Sequence, residues 1–282
     1  FQMPTRWLAD VTTRYEAADA LRTYADWASA NGSRDGRWLE SGSASYVAET
    51  AKRIAETANL HAAEFGIPDF DPVPDQTKVE LSADHLIQIG SALIERGPSN
   101  DRAIIHDSGD VAELRSATRR FARDVVAPEA ESIHREDSLV PEHFISGMAE
   151  LGYFGMSVPE EYGGVGMTNL MMVVATEELS AASLASAGSL ITRPEILTKA
   201  LLQGGTEDQK RAWLPRISSG ELMVAISVTE PNVGSDVASL TCRAEPATVG
   251  GVPGYVLNGA KAWCTFAGRA DILALLARTD AN

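Results

Sequence analysis

The spacing of apolar and polar positions changes once along the chain. Up to about residue 221 apolar residues recur every three or four positions, the period of a helix with one packed face. From Leu222 onward they form short β-branched runs broken by glycine, proline and asparagine, the pattern of strands and turns. Between Thr12 and about Phe65 the recurrence of Tyr15, Leu21, Tyr24 and Trp27 predicts helix. Asn-Gly and Asp-Gly pairs mark a turn at Ser29–Gly36, and the Ala-rich run from Ser45 predicts a second helix that stops at Gly66, with Pro68 beyond. Ile67–Gln76 is dense in proline and aspartate and reads as a linker. A short helix over Ala83–Arg96 follows, and Gly97-Pro98 sets a boundary near residue 100.

The next stretch, residues 101–221, reads as a second helical domain. In "DVAELRSATRRFARDVVAPEAE" Leu114, Phe121 and Val125 share a face, while Arg115, Arg119 and Arg123 form a row expected to be solvated and flanked by acids. "GGVGMTN" (Gly163–Asn169) has glycines like a dinucleotide loop. It lacks the final glycine and the preceding buried strand, so it reads as a tight turn entering a helix. Residues 222–282 then supply "LMVAISVTE", "VASLTCRAEPA", "GYVLNGAKAWCTFA" and "DILALLART". Asn258-Gly259 predicts a type I′ hairpin turn. Helices first and antiparallel strands last make an α+β protein rather than an alternating parallel sheet. The final strand-like run ends abruptly, so the β-domain is expected to be incomplete.

Composition narrows the function. Of 282 residues, 44% are hydrophobic and 22% charged, a globular balance. No apolar run is expected to approach the roughly 20 residues of a membrane span, and the first residues lack a leader pattern. A net charge of −15 argues against a nucleic-acid partner, which needs a cationic footprint. Cys242, Cys264 and the histidines have no metal-ligand spacing, so no metal site is expected.

The chemistry concentrates in "AISVTEPNVGSD", Ala225–Asp236. A strand that ends in Thr-Glu-Pro and passes into Gly-Ser-Asp is either an ordinary exit or a loop aiming amides and hydroxyls at a ligand. "AWCT", Ala262–Thr265, adds an indole and a hydroxyl on what is expected to be a neighbouring strand. Together they would suit a flat heteroaromatic ring with polar edges.

These two segments, with "VPEEYGGVG" and "GGTEDQKRAWLPRISSGE", resemble the acyl-CoA dehydrogenase family from about residue 105 to the end. The resemblance implies that family's N-terminal helical domain and flavin-binding β-domain, preceded here by a helical extension over residues 1–100. It implies FAD as cofactor, with Ile226, Val228 and Thr229 lining the flavin and Gly234 and Ser235 at the turn beside flavin and acyl-CoA. Ser235 matches the pantetheine-contacting serine, and Trp263 and Thr265 flank the flavin near N5. Cys264 stands where the family has a β-branched residue and reads as packing. The family's catalytic glutamate belongs to a C-terminal helical domain that the sequence does not contain, so no base is named and Glu230 is not cast as one.

"EDSLVPEHFISGMAELGYFGMSVPEEYGGVGM", "SLITRPEI" and "LLQGGTEDQKRAWLP" further resemble the branch of the family that oxidises methylsuccinyl-CoA to mesaconyl-CoA. A substrate ending in a carboxylate needs a cation near its acyl tail, and Arg193 lies in the helical stretch that lines the family's acyl pocket. Pairing of Arg193 with Glu195 or a neighbouring helix is the competing reading. The resemblance also implies an acyl-CoA substrate, electron-transfer flavoprotein as acceptor, a homodimer or homotetramer, and a bacterial cytoplasmic setting, with the mitochondrial matrix as the alternative. An oxidase or monooxygenase on the same scaffold, or a non-catalytic partner subunit binding flavin or acyl-CoA, are the other functions it admits.

Overall fold

In the computed structural model the described residues are 2–32, 36–66, 75–96 and 109–279. The chain divides into two compact units, Phe1–His106 and Asp107–Asn282. The first contains α1 (Gln2–Ala30), α2 (Gly36–Leu60), α3 (Ala62–Phe65), α4 (Asp75–Glu80) and α5 (Ala83–Arg96). Its core is made mainly of small residues. Ala18, Ala25 and Ala28 of α1 and Ala48, Ala55 and Ala58 of α2 are buried, which lets the two long helices approach closely. Tyr24, Trp27 and Trp38 pack at the margin, whereas Tyr15, expected on the packed face, points outward. Gly66 ends α3 in the left-handed conformation at φ 63°, its amide bonded to the Ala62 carbonyl, as its glycine predicts. The Ile67–Gln76 linker falls largely outside the described residues.

The second unit opens with α6 (Gly109–Phe121) and continues through a π-turn, Ala122–Val126, into α7 (Ala127–Arg135). The π-turn bonds the Ala127 amide to the Ala122 carbonyl and carries the helix past Pro128, which has no N–H to give. Helices α8 (Glu142–Glu150), α9 (Asn169–Ser183), α10 (Thr192–Gly204) and α11 (Glu207–Ser218) complete the helical part. Phe144, Met148, Tyr153, Leu179, Leu190 and Ile191 fill its main core. The glycine-rich run behaves as a tight turn: Thr168 caps α9 by accepting from the Met171 amide. A Cβ at Gly164 would lie 1.9 Å from the Val158 carbonyl oxygen. Thr206 and Gln209 form a reciprocal capping box at α11.

The arginine row is not a solvated face. Arg115 is buried and bonds Glu177 and Glu178 of α9, and Arg119 also bonds Glu178; only Arg123 lies on the surface, against Asp124. A guanidinium facing a buried carboxylate on the next helix is drawn inside, which spacing alone does not reveal. The helical run Asn169–Gly188 is long and apolar enough by length and composition to cross a bilayer, correcting the expectation that no run reaches that length. It carries the Glu177 and Glu178 ion pairs and forms part of the bundle core.

Two short ladders follow. Strand β1 (Val224–Ser227) pairs in parallel with β4 (Ile272–Leu275), and β2 (Arg243–Val249) pairs antiparallel with β3 (Val252–Asn258). The α+β architecture holds, with one parallel pair added. The hairpin turn is Gly250-Gly251, at φ 59° and 81°, not Asn258-Gly259. Asn258 pairs with Arg243 as the last residue of β3, and Gly259 instead lets the backbone cross Cys242, whose Cα lies 2.7 Å from where a Cβ would sit.

Candidate active site

Strand β1 is held by the core beneath it. Val224 is buried among Leu197, Leu201, Leu214 and Ile217 of α10 and α11, and the half-buried Ile226 packs against the same cluster. The strand therefore delivers its exit, Val228–Val233, to a fixed place. There the chain closes on itself: the Glu230 amide donates to the Val233 carbonyl at 2.9 Å and the Val233 amide returns to the Glu230 carbonyl at 3.1 Å.

The Glu230 carboxylate holds this exit to two other segments. It is 4% exposed and accepts from the Thr241 amide and hydroxyl at 2.7 Å, the Cys242 amide at 2.8 Å and Lys261 Nζ at 3.0 Å. The Thr241 hydroxyl, then its amide, are the chief causes that lower the Glu230 pKa to about 2. A carboxylate so strongly held as the anion is a poor proton acceptor at neutral pH. Lys261 Nζ also donates to the Val228 carbonyl at 2.9 Å, and the Ala262 amide to the Thr229 carbonyl at 2.9 Å. The strand exit and the Trp263 segment thus lie side by side.

Ala262–Thr265 is not a strand, as its pattern suggested, but an irregular stretch entering a turn. Trp263 and Phe266 sit at φ 57° and 71°, a region that penalises bulky residues by about 1–3 kcal/mol each and persists only where the surroundings impose it. The surroundings do so here. Phe266 packs on the main core, and Arg269 grips Glu142 of α8 through two hydrogen bonds of 2.6 and 3.0 Å. The Trp263 indole is left 89% exposed.

Of the residues singled out from sequence, Val228, Thr229 and Trp263 are joined through the Lys261 and Ala262 contacts. Gly234, Ser235 and Thr265 are exposed, and Ile226 is half-buried beneath. Among the described residues no side chain or amide bonds the hydroxyls of Thr229, Ser235 or Thr265. Arg193 sits on α10, the helix that packs on β1. Its Nη1 donates to the Ser189 carbonyl at 3.0 Å and to the Thr192 hydroxyl at 2.6 Å. Glu195 pairs with Lys199 rather than with Arg193. Lys261 and Arg269 had no place in the sequence reading, and Gly259 was assigned to a hairpin turn rather than to the close pass over Cys242; a lysine inside an apolar, strand-like run was the one available signal.

The chain matches "Acyl-CoA dehydrogenase, N-terminal domain" over residues 108–221 and "Acyl-CoA dehydrogenase, middle domain" over residues 225–282, in that order. It belongs to the acyl-CoA dehydrogenase family. Among relatives of this acyl-CoA dehydrogenase chain, the (2S)-methylsuccinyl-CoA dehydrogenase of Cereibacter sphaeroides is 43% identical over 185 residues, 64% of this chain and 33% of that protein. The mitochondrial 2-methylacyl-CoA dehydrogenase of Solanum tuberosum is 40% identical over 60% of this chain and 40% of that protein. A glutaryl-CoA dehydrogenase from Mycobacterium smegmatis, solved in complex with FADH2, superposes with a TM-score of 0.56 at 27% identity, covering 62% of this chain and 44% of that one. The chain therefore spans less than half the length of each of these three.

Proposed function

We propose that the natural polypeptide carrying this chain binds FAD and removes two hydrogens across Cα–Cβ of a short, branched acyl-CoA ending in a carboxylate, converting (2S)-methylsuccinyl-CoA to mesaconyl-CoA. The observation that carries this is the convergence of the Thr229 exit and the exposed Trp263 indole, in a chain 43% identical to a dehydrogenase of that substrate.

The residues fit a flavin. An indole held outward by strained backbone offers a flat face, and the Thr229, Ser235 and Thr265 hydroxyls are open to a polar ring edge. Ile226 and Val228, both half-buried, supply an apolar floor. Bound FAD supplies the acceptor for the hydride that leaves Cβ. With FAD bound, Thr229 would offer its hydroxyl to the pyrimidine side of the ring, Trp263 and Thr265 would screen the ring from water, and Gly234 and Ser235 would meet the pantetheine part of the substrate. Lys261 and Glu230 position the Val228–Thr229 peptides. No described residue is assigned as the base that takes the α-proton.

Arg193 orients the substrate. Its Nη1 is occupied by Ser189 and Thr192, while no described residue bonds Nε or Nη2, the edge that meets a carboxylate with two parallel hydrogen bonds. Reoxidation by electron-transfer flavoprotein, a homo-oligomeric state and a bacterial cytoplasmic setting belong to the same reading, supported by the family and the bacterial relative.

The test is anaerobic bleaching of the flavin band in the natural polypeptide across a set of acyl-CoA thioesters. Methylsuccinyl-CoA should bleach fastest. Arg193→Ala should raise KM for dicarboxylic thioesters by roughly tenfold or more, the loss of one charged bidentate contact, and leave plain thioesters little changed. Equal effects on both classes would remove Arg193 from the site, and rapid oxygen consumption by the reduced enzyme would favour an oxidase.

A further inference from the structure

Arg193 is held from one end only. Its Nη1 donates to the Ser189 carbonyl at 3.0 Å and to the Thr192 hydroxyl at 2.6 Å. The Thr192 hydroxyl donates to the same Ser189 carbonyl at 2.9 Å, so its own proton is engaged and its lone pairs are left for Nη1. The three atoms form a closed triangle of hydrogen bonds. That triangle rests on firm backbone. The Ser189 amide donates to the Leu184 carbonyl at 2.9 Å, and the next two residues, Leu190 and Ile191, are 1% and 0% exposed in the main core. Thr192 opens α10, and its β-branched side chain has few rotamers; the one it takes reaches the carbonyl three residues back.

A planar guanidinium can take a carboxylate on its Nη1–Nη2 edge or on its Nε–Nη2 edge. With Nη1 occupied, only the second edge is complete, and among the described residues nothing bonds it. Glu195, the carboxylate two positions on, is turned to Lys199 at 2.5 Å and does not close that edge. We propose that Thr192 is a positioning residue for Arg193: its hydroxyl fixes the guanidinium in the orientation that offers the Nε–Nη2 edge to the carboxylate at the acyl end of the substrate. This role rests on the contact proposed above between Arg193 and that carboxylate, and it adds the reason that contact is selective. A long side chain free to swing gives up rotamers when it grips a carboxylate, and the loss is subtracted from affinity. The Thr192 bond removes part of that loss beforehand, when the chain folds. Dicarboxylic thioesters gain from it and plain thioesters do not.

Equilibrium binding tests this without turnover. Mesaconyl-CoA carries the carboxylate, and in tiglyl-CoA a methyl group replaces it; each is titrated calorimetrically into the natural polypeptide with FAD bound. Thr192→Val should weaken mesaconyl-CoA by at least about fivefold and tiglyl-CoA by less than about twofold, the loss of one charge-assisted bond that orients Arg193. Thr192→Ser keeps the hydroxyl and should bind mesaconyl-CoA within about twofold of the parent. Arg193→Ala, measured alongside, should lose at least as much mesaconyl-CoA affinity as Thr192→Val. Circular dichroism confirms that each variant folds, and Thr192→Ala gives the same contrast where the valine variant does not. If Arg193→Ala separates the two thioesters and Thr192→Val does not, the positioning role falls and the carboxylate contact stands. If Arg193→Ala weakens both alike, the contact itself falls and takes the role of Thr192 with it. Equal loss of both thioesters in Thr192→Val, or no recovery in Thr192→Ser, would show a structural role alone and overturn the proposal.

Discussion

Two buried glutamates of the second unit do different work. Glu178 is 3% exposed and sits between the Arg115 and Arg119 guanidiniums, joining two helices that already share a core. Glu230 is 4% exposed and accepts mainly from neutral donors, two amides and a hydroxyl, with one ammonium, where the chain has no regular ladder. In the helical bundle, side-chain packing sets the geometry and the ion pairs add to it. At the strand exit a carboxylate stands in for the missing ladder, and the proposed flavin contacts hang from it. Polar nodes of this second kind should therefore control cofactor binding as well as stability, while the first kind should touch stability alone.

The largest effect should come from Lys261→Met. It removes the cation paired with the buried Glu230 carboxylate, leaving the Thr241 and Cys242 donors, and takes a donor from the Val228 carbonyl, in a site where the Lys261 side chain is 9% exposed. Breaking a buried pair in this way typically destabilises by about 3–5 kcal/mol. Urea unfolding should show that loss, and flavin titration a weakened complex. Glu178→Gln should come next, at roughly 3 kcal/mol, from two guanidiniums left facing one amide. Its flavin affinity should not change, and a parallel loss of flavin would erase the distinction between the two nodes.

The pH dependence sharpens the contrast. Glu230 titrates at about 2 in the folded chain against 4.5 for an ordinary glutamate. Its folded value is depressed, so its stabilisation is fully present above about 4.5 and fades as pH falls toward 2. The gap in urea midpoint between wild type and Glu230→Gln should therefore close over that window. A gap that stayed constant to pH 2 would mean that the charge is not what holds the exit. The smallest effect, of opposite sign, should come from Trp263→Gly. Relief of the left-handed strain should stabilise the fold by up to about 1 kcal/mol while weakening flavin binding, because the indole buries little of itself in the chain.

Much of this was legible in sequence, and the misses have physical causes. Periodicity located Ala83–Arg96, the turn before α9 and the entry into strands, because those features are local. The burial of Arg115 was hidden because its partner lies 63 residues away. The hairpin turn was misplaced because Asn258-Gly259 and Gly250-Gly251 carry the same local signal, and only the close pass of Gly259 over Cys242 separates them. Thr229 and Trp263 could be paired through the family resemblance. Lys261, which fastens the two segments, left no periodic trace.

Titration of FAD into the flavin-free natural polypeptide, followed by tryptophan emission and compared with Trp263→Phe, tests the convergence at Thr229 and Trp263 most directly. The account predicts that FAD quenches emission strongly in the parent and much less in Trp263→Phe, with weaker binding in the variant. Equal quenching and equal affinity in both would place the flavin away from Trp263 and contradict it.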